Sequence, residues 1–164
     1  MDKPLRIGEI LVQNGVLTEQ QVFEIAQAQR RLGLPFGVLA EQMFEVTLES
    51  IEQAWVQQYH QFTGTIDLAS CRFDEQALRL ISRRQAWQFE ILPINFESTG
   101  ELLIAASHAR LARAVTFAAN RLERVAYFRI AESEQLRDFL QQYYPMPDVS
   151  RYLIDRAQEL KKPA

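Results

Sequence analysis

The first sixty residues repeat a set of side chains that could recognise an anionic ligand. A shift of 29 residues along the chain places Gly8 on Gly37 and Gln29 on Gln58. Arg6 precedes the first glycine, and an arginine can pair with a phosphate or stack on a flat base. Glycine lets a ligand approach the backbone, and glutamine offers both a donor and an acceptor. The repeat indicates a pseudo-symmetric groove or, as the alternative, two similar helical hairpins with common capping chemistry.

These residues belong to a stretch whose apolar spacing predicts helices. We predict helices over residues 5–14, 18–32 and 47–62, with a short apolar segment between the second and the third. Thr18 and Thr47 are suited to cap two of them, because a threonine side chain accepts a hydrogen bond from a free backbone N–H of the first turn. Apolar residues follow each cap at helical spacing. The N-terminal part of the chain is therefore expected to be helical.

The pattern changes after Gly64, where short apolar runs alternate with turn residues. Strands are predicted over residues 91–96, 102–106 and 125–130. The predicted fold class is α+β, with an N-terminal helical subdomain, a small α/β sandwich subdomain and a C-terminal helix over residues 148–161. The predicted units are residues 1–63 with the two repeats, residues 64–145, and residues 146–164.

One helix carries an apolar stripe that predicts a core. Leu48, Ile51, Trp55 and Tyr59 follow one another at spacings of three and four residues. Such residues share one face of a helix. This predicts that Trp55 is largely buried, so that Trp55→Ala would cost about 3–5 kcal/mol of stability.

Composition and charge disfavour several classes of function. The chain has 164 residues, of which 48% are hydrophobic and 24% charged, which is typical of a globular protein. A net charge of −3 disfavours binding to duplex DNA. The apolar stretches are too short to span a membrane, and the N-terminus lacks the apolar core of a signal peptide. We expect a cytoplasmic protein that binds no nucleic acid polymer and does not itself insert into a membrane.

The sequence offers little for catalysis or metal binding. It contains no G-x-x-x-x-G-K-[ST] phosphate loop. His60 and His108 are far apart in sequence and Cys71 is the single cysteine, so no zinc-ligand cluster is expected. No motif near Cys71 would orient it as a nucleophile. We therefore expect no enzyme activity, no catalytic residue, no metal and no cofactor.

Residues 6–29 resemble the first motif of a known domain family. That family is the N-terminal domain of type II secretion and type IV pilus assembly ATPases, often called the GspE or MshE N-terminal domain. Its tandem motif has the form R-L-G-x-x-L-V-x-x-G-x-L, four variable positions, then L-x-x-A-L-x-x-Q. The matching positions here are Arg6, Ile7, Gly8, Leu11, Val12, Gly15, Leu17, Val22 and Gln29. The resemblance runs from about residue 5 to residue 144 and implies a stand-alone domain without the ATPase part.

The second copy of the motif departs from the family pattern. Pro35 stands where the pattern has arginine, and Phe44 stands where it has its second glycine. Ala40 and Glu41 replace the apolar pair. The positions that still fit are Gly37, Val46, Ile51, Ala54, Trp55 and Gln58. One half of a two-motif site is therefore intact and the other is degraded.

The resemblance implies two kinds of function. Some members of this family bind cyclic di-GMP along the two motifs, and others only join an ATPase to an inner-membrane partner. The cyclic di-GMP residues that the resemblance implies here are Arg6, Ile7, Gly8, Leu11, Val22, Gln29, Arg31, Gly37 and Gln58. Arg31 is included because it precedes the second motif and could supply the cation that Pro35 lacks.

Two hypotheses follow. The favoured one is a non-catalytic module that docks to a protein partner of a secretion or pilus machinery, and is recruited through that partner to the inner membrane. The alternative is a receptor for cyclic di-GMP that binds mainly through residues 6–29. The degraded second motif favours docking.

Overall fold

The computed structural model describes residues 3–146 of the chain. Its helices are α1 (Ile7–Gln13), α2 (Glu19–Leu32), α3 (Phe36–Phe44), α4 (Leu48–Thr63), α5 (Glu75–Leu78), α6 (Arg83–Phe89), α7 (Leu111–Arg121) and α8 (Ser133–Tyr143). Its strands are β1 (Thr65–Ile66), β2 (Ile91–Phe96), β3 (Leu102–Ser107) and β4 (Ala126–Ala131). The helix predicted over residues 148–161 lies outside the described residues.

The N-terminal half consists of α1 to α4, and the capping predicted there is present. The backbone N–H of Gln21 donates to Thr18 Oγ1 at 3.2 Å, and that of Ser50 donates to Thr47 Oγ1 at 3.2 Å. The α2 helix ends at Gly33, whose φ of 67° lies in the left-handed region that glycine adopts at little cost. The α3 helix is complete where the sequence pattern indicates only an apolar segment.

The C-terminal half is built on one four-stranded sheet in the order β1-β4-β3-β2. Strands β2 and β3 form an antiparallel hairpin, in which Leu92 lies opposite Ala105. Strand β4 pairs in parallel with β3 on one side and with the two-residue β1 on the other. Helices pack against this sheet, so the α+β fold class is confirmed. The pattern does not predict α6, which begins at a Ser82 cap that accepts from the Gln85 N–H at 3.2 Å.

Two clusters of buried side chains lie in the described residues. The cluster of the helical half consists of Ile10, Leu11, Leu17, Ile25, Ala28, Leu39, Ala40, Val46 and Ala54. The other cluster lies around the sheet and includes Ile91, Leu92, Ile104, Leu111, Ile130 and Leu136. The α4 helix contributes Ala54 to the first cluster and Val56 to the second. Because α4 packs on both sides, the division of the chain at residues 63 and 145 stays a prediction.

The predicted burial of Trp55 is wrong. The Trp55 side chain is 37% exposed, and on the same face of α4 Leu48 is 64% and Phe62 67% exposed. The reason is that α4 buries its two flanks, through Ala54 and Val56, rather than the face that its largest side chains occupy. The three large residues recur every seven positions, so they form one exposed line along the helix.

Candidate functional site

The repeat of the sequence is also a repeat of backbone geometry. The N–H of Leu17 donates to the carbonyl of Leu11 at 3.2 Å, and 29 residues later the N–H of Val46 donates to the carbonyl of Ala40 at 3.4 Å. All four residues are buried. The two hairpins, α1–α2 and α3–α4, therefore share this backbone contact and contribute equivalent residues to one core. Their turns differ, because the left-handed residue is Gly15 in the first and Glu45, at the position of Val16, in the second.

The two repeated glycines pack in the same way. A Cβ on Gly8 would lie 2.7 Å from Val22 Cγ1 and 3.2 Å from Phe36 Cζ. A Cβ on Gly37 would lie 3.0 Å from Ile51 Cγ2. Val22 and Ile51 are themselves 29 residues apart. Each glycine thus allows close contact between the two helices of its hairpin, which accounts for both glycines without a ligand.

A cavity of about 410 Å³ opens beside the first glycine. It is lined by Arg6, Ile7, Gly8, Glu9, Val22, Ala26, Gln29, Phe36 and Gln58. The wall contains these residues from the predicted set: Arg6, Ile7, Gly8, Val22, Gln29 and Gln58. A volume of this size is at the low end of the range for small-molecule sites, roughly 300–1,000 Å³.

Only the Arg6 side of the cavity offers a positive charge that could bind an anion. Arg6 is exposed, and its guanidinium makes no ion pair within residues 3–146. The carboxylate of Glu9 accepts from the Arg6 backbone N–H at 2.7 Å and brings a negative charge to the same wall. The Gln58 side chain donates to the Leu5 carbonyl at 3.3 Å. The apolar part of the wall could support a flat ring, and Arg6 could pair with its anionic group.

The remaining predicted site residues lie away from this wall. Leu11 is fully buried in the helical core, so its side chain packs rather than binds. Gly37 packs against Ile51. Arg31 is exposed in the last turn of α2 and does not line the cavity.

Three residues of the wall are absent from the predicted set. Glu9 follows Arg6 by three residues, and Ala26 follows Val22 by four, so helical spacing alone could have placed them there. Phe36 corresponds to Ile7 under the 29-residue shift, and it enters the cavity of the first hairpin from the second. Only the packing of the two hairpins on each other shows this.

The degraded second motif has no basic residue at the position equivalent to Arg6. Pro35 is the residue before the first turn of α3, and it offers neither a charge nor a backbone N–H. Trp55 stands at the position that Ala26 holds in the first hairpin. A large aromatic side chain thus occupies the place where the first hairpin leaves space.

Two histidines that are distant in sequence meet in the fold. The rings of His60 and His108 lie 5.3 Å apart, and His60 Nε2 is 2.8 Å from Thr65 Oγ1. Burial and the neighbouring His60 lower the pKa of His108. Within residues 3–146, no three His, Cys, Asp or Glu side chains are grouped so as to hold a metal ion. Burial and Asp67 raise the pKa of the Cys71 thiol, which disfavours its thiolate form.

The family of the chain follows from a domain match. Residues 32–150 match the MshEN domain, so the chain belongs to the MshEN domain family. The match contains the second hairpin and the sheet, and residues 6–29 precede it. No protein of curated function matches the chain.

Solved structures of two relatives resemble this chain. A structure of MshE with cdg shares 26% sequence identity, covers 85% of this chain and 99% of that chain, and gives a TM-score of 0.48. Two crystal forms of the N-terminal domain of XpsE share 16% identity, cover 88% of this chain and at least 99% of theirs, and give TM-scores of 0.47 and 0.46. Over residues 3–146, none of the helices has both the length and the apolar character needed to cross a membrane.

Proposed function

We propose that the chain is a non-catalytic docking module of a secretion or pilus machinery, and that it meets its protein partner through one face of α4. The observation that carries this proposal is the line of Leu48, Trp55 and Phe62, which we call the α4 stripe. These side chains are 64%, 37% and 67% exposed. The proposal makes the module cytoplasmic and recruits it to the inner membrane through that partner.

The two exposed faces of α4 differ in chemistry. The face opposite the α4 stripe carries Gln53, Gln57 and Gln61. Gln57 is half-buried and accepts from Asn14 Nδ2 at 3.2 Å, and Gln61 accepts from the Leu5 N–H at 2.9 Å. The stripe instead presents two aromatic rings and a leucine, and the Trp55 ring stacks on Tyr59 at 5.7 Å. Scattered apolar residues are normal on a protein surface, whereas several large ones aligned along one helix face are typical of an interaction site. Aromatic residues are also enriched at the centres of protein interfaces.

Site-specific crosslinking in the source cells tests this proposal. A photoreactive phenylalanine analogue replaces Trp55 in one variant and Gln53, on the opposite face, in the control. We expect a crosslinked product at position 55 that mass spectrometry identifies as a secretion or pilus component, and no such product at position 53. Equal products at both positions, or none at either, would contradict docking through α4.

A second candidate function has its own observation. We propose cyclic di-GMP as the ligand of the cavity beside Gly8, because Arg6, Gln29 and an apolar wall converge there. The guanidinium would pair with a phosphate, and the apolar wall would support a guanine ring. Glu9 weakens this fit, since its carboxylate repels a phosphate.

Isothermal titration with cyclic di-GMP tests the second candidate. Arg6→Ala should remove a charge-assisted contact worth roughly 1.5–3 kcal/mol, a loss of about ten- to hundredfold in affinity. Gln29→Ala should cost less, because a neutral hydrogen bond contributes about 1 kcal/mol. Arg31→Ala is the matched control, since Arg31 lies away from the cavity wall. No heat at high micromolar ligand, or equal losses in the two arginine variants, would contradict this site.

A further inference from the structure

The sequence segment that carries the α4 stripe is acidic. The sequence contains no lysine or arginine from residue 32 to residue 71. Glu41, Glu45, Glu49 and Glu52 fall in this stretch, all four are exposed, and none takes part in an ion pair within residues 3–146. We infer that the α4 stripe receives a basic amphipathic helix of the partner protein. This inference rests on the proposed docking function and adds the chemistry of the partner.

The spacing of the stripe favours a helical partner. Leu48, Trp55 and Phe62 recur every seven residues, which at 1.5 Å per residue spans about 21 Å, or roughly four helical turns. Apolar residues at a heptad interval on an exposed helix match the contacts that a second helix makes when it packs along the first. An extended strand would need an open sheet edge instead, and α4 offers none.

The acidic residues specify the other face of that partner. Glu45 lies two residues before Thr47, the α4 cap, and Glu49 lies in the first turn of α4 next to Leu48 in the sequence. Glu52 lines a groove together with Arg113 and Arg121 of α7, so its charge is partly offset. Glu49 and Glu52 also line a second groove with Arg113, which partly offsets both of their charges. Glu45, Glu49 and Glu52 outnumber the two arginines of these grooves, so the net charge beside the stripe is negative and is set by the glutamates. Lysine or arginine beside the apolar line of a partner helix would complement them.

The same charge disfavours two other occupants. An anionic lipid surface attracts basic segments, and this stretch has none. A second copy of this chain that packed through its own α4 would bring the same glutamates and no lysine or arginine on that helix. A basic helix is the occupant that satisfies both the apolar line and the glutamates.

Two designed peptides test the inference on the full chain. Both are 18-residue helices with the same leucine and tryptophan face, and the remaining positions are lysine in one and glutamate in the other. We expect the lysine peptide to bind at least about tenfold more tightly by fluorescence anisotropy, with an affinity that falls as salt rises. Leu48→Ser and Phe62→Ser should each weaken it severalfold. Both side chains are largely exposed, and circular dichroism verifies that the variants fold.

Paired charge variants distinguish binding at the α4 stripe from nonspecific attraction of a basic peptide to an acidic protein. Glu45→Gln with Glu49→Gln should weaken the lysine peptide and leave the glutamate peptide unchanged. The control removes two acidic residues at the β2–β3 turn, Glu97→Gln with Glu101→Gln, and should change neither. Equal losses in the two pairs, or serine variants that bind like the wild type, would overturn the inference.

The other occupants give distinct results. Self-association that sedimentation detects and Leu48→Ser abolishes would identify a second copy of this chain and overturn the inference. So would stripe-dependent binding to phosphatidylserine vesicles. A crosslink at position 55 to a secretion component, with equal affinities for the two peptides, would keep the docking function and reject the basic helix. If there is neither a crosslink at position 55 nor a difference in affinity between the two peptides, both the docking function and the basic helix are rejected.

Discussion

The two hairpins of the repeat share their packing and differ in their surfaces. Both use a glycine against an apolar side chain of the next helix, both begin that helix at a threonine cap, and both place equivalent residues in one core. On the surface, Arg6 corresponds to Pro35 and Ala26 corresponds to Trp55. The first hairpin consequently borders a cavity, and the second presents an exposed aromatic stripe.

The comparison shows which positions of the repeat are constrained by folding. A glycine whose added Cβ would lie 3.0 Å or less from the next helix and a threonine that caps a helix both serve folding, so they are present in both hairpins whatever each one binds. An exposed residue is not constrained by folding in this way, so it can differ between the two hairpins. The motif match at Gly37 therefore indicates packing, and only the divergent surface positions bear on function.

The largest expected effect concerns Leu11, which the family motif assigns to the ligand site and the structure places in the core. Leu11→Ala should lower the free energy of unfolding by about 2–5 kcal/mol, because it leaves a cavity at a fully buried position. Chemical denaturation measures this. Leu32→Ala, at a side chain that is 55% exposed, is the control and should change little. If Leu11→Ala left the free energy of unfolding nearly unchanged, Leu11 would again be a candidate ligand-binding residue.

The two glycines should respond unequally to alanine. The Cβ of Gly8→Ala would approach Val22 Cγ1 to 2.7 Å, and overpacking of this kind costs about 1–3 kcal/mol. In Gly37→Ala the nearest atom is 3.0 Å away, so the gain of roughly 0.5–1 kcal/mol that alanine brings over glycine in a helix offsets more of the cost.

Thermal and denaturant unfolding of both glycine variants measure the difference. The cost of Gly8→Ala should shrink in a Val22→Ala background, because that change removes the atom in the way. An undiminished cost there would show that Gly8 is needed for a reason other than contact with Val22.

The two caps should respond equally. Thr18→Ala and Thr47→Ala each remove one acceptor for a first-turn N–H at 3.2 Å, so each should cost about 1 kcal/mol. Thr116→Ala, at an exposed position inside α7, is the control. Denaturant midpoints measure all three. A difference between the caps much larger than their mean would indicate that one hairpin depends on its helix start in a way the other does not.

Local patterns made α1, α2 and α4, the threonine caps and the hairpin strands predictable, but not α3 and α6. Thr18 and Thr47 are recognisable because a cap concerns only the turn that follows it, and the strand at Ile91–Phe96 is recognisable from its own composition and flanking turn residues. Properties that depend on distant packing were not predictable. Leu11 and Ile7 have the same apolar character, yet one is core and the other lines the cavity.

The Trp55 prediction shows the same limit. Helical spacing groups Leu48, Ile51, Trp55 and Tyr59, but spacing alone does not say which side of a helix is covered. Ile51 packs against the helical core and Tyr59 against the sheet core, whereas Leu48 and Trp55 are exposed. The α4 helix lies between two cores, and its flanks are buried instead. The side of the cavity that Phe36 closes is likewise set by the packing of one hairpin on the other.

The smallest expected effect on stability comes from exchanging a surface residue between the hairpins. Leu48 corresponds to Glu19, which begins α2 as Leu48 begins α4. Leu48→Glu should change the free energy of unfolding by no more than about 0.5 kcal/mol, because the leucine is 64% exposed. A glutamate in the first turn interacts favourably with the helix dipole, and repulsion from Glu45 and Glu49 offsets that gain.

The same substitution should nevertheless remove function from the second hairpin. It places a charge in the α4 stripe, so the crosslink at position 55 should disappear while the melting temperature of the protein stays unchanged. Glu19→Leu, the reverse exchange, should leave that crosslink intact, because it changes the hairpin that lacks the stripe. A large loss of stability in Leu48→Glu would mean that Leu48 belongs to the core. The contrast between the cavity of the first hairpin and the exposed stripe of the second would then fail.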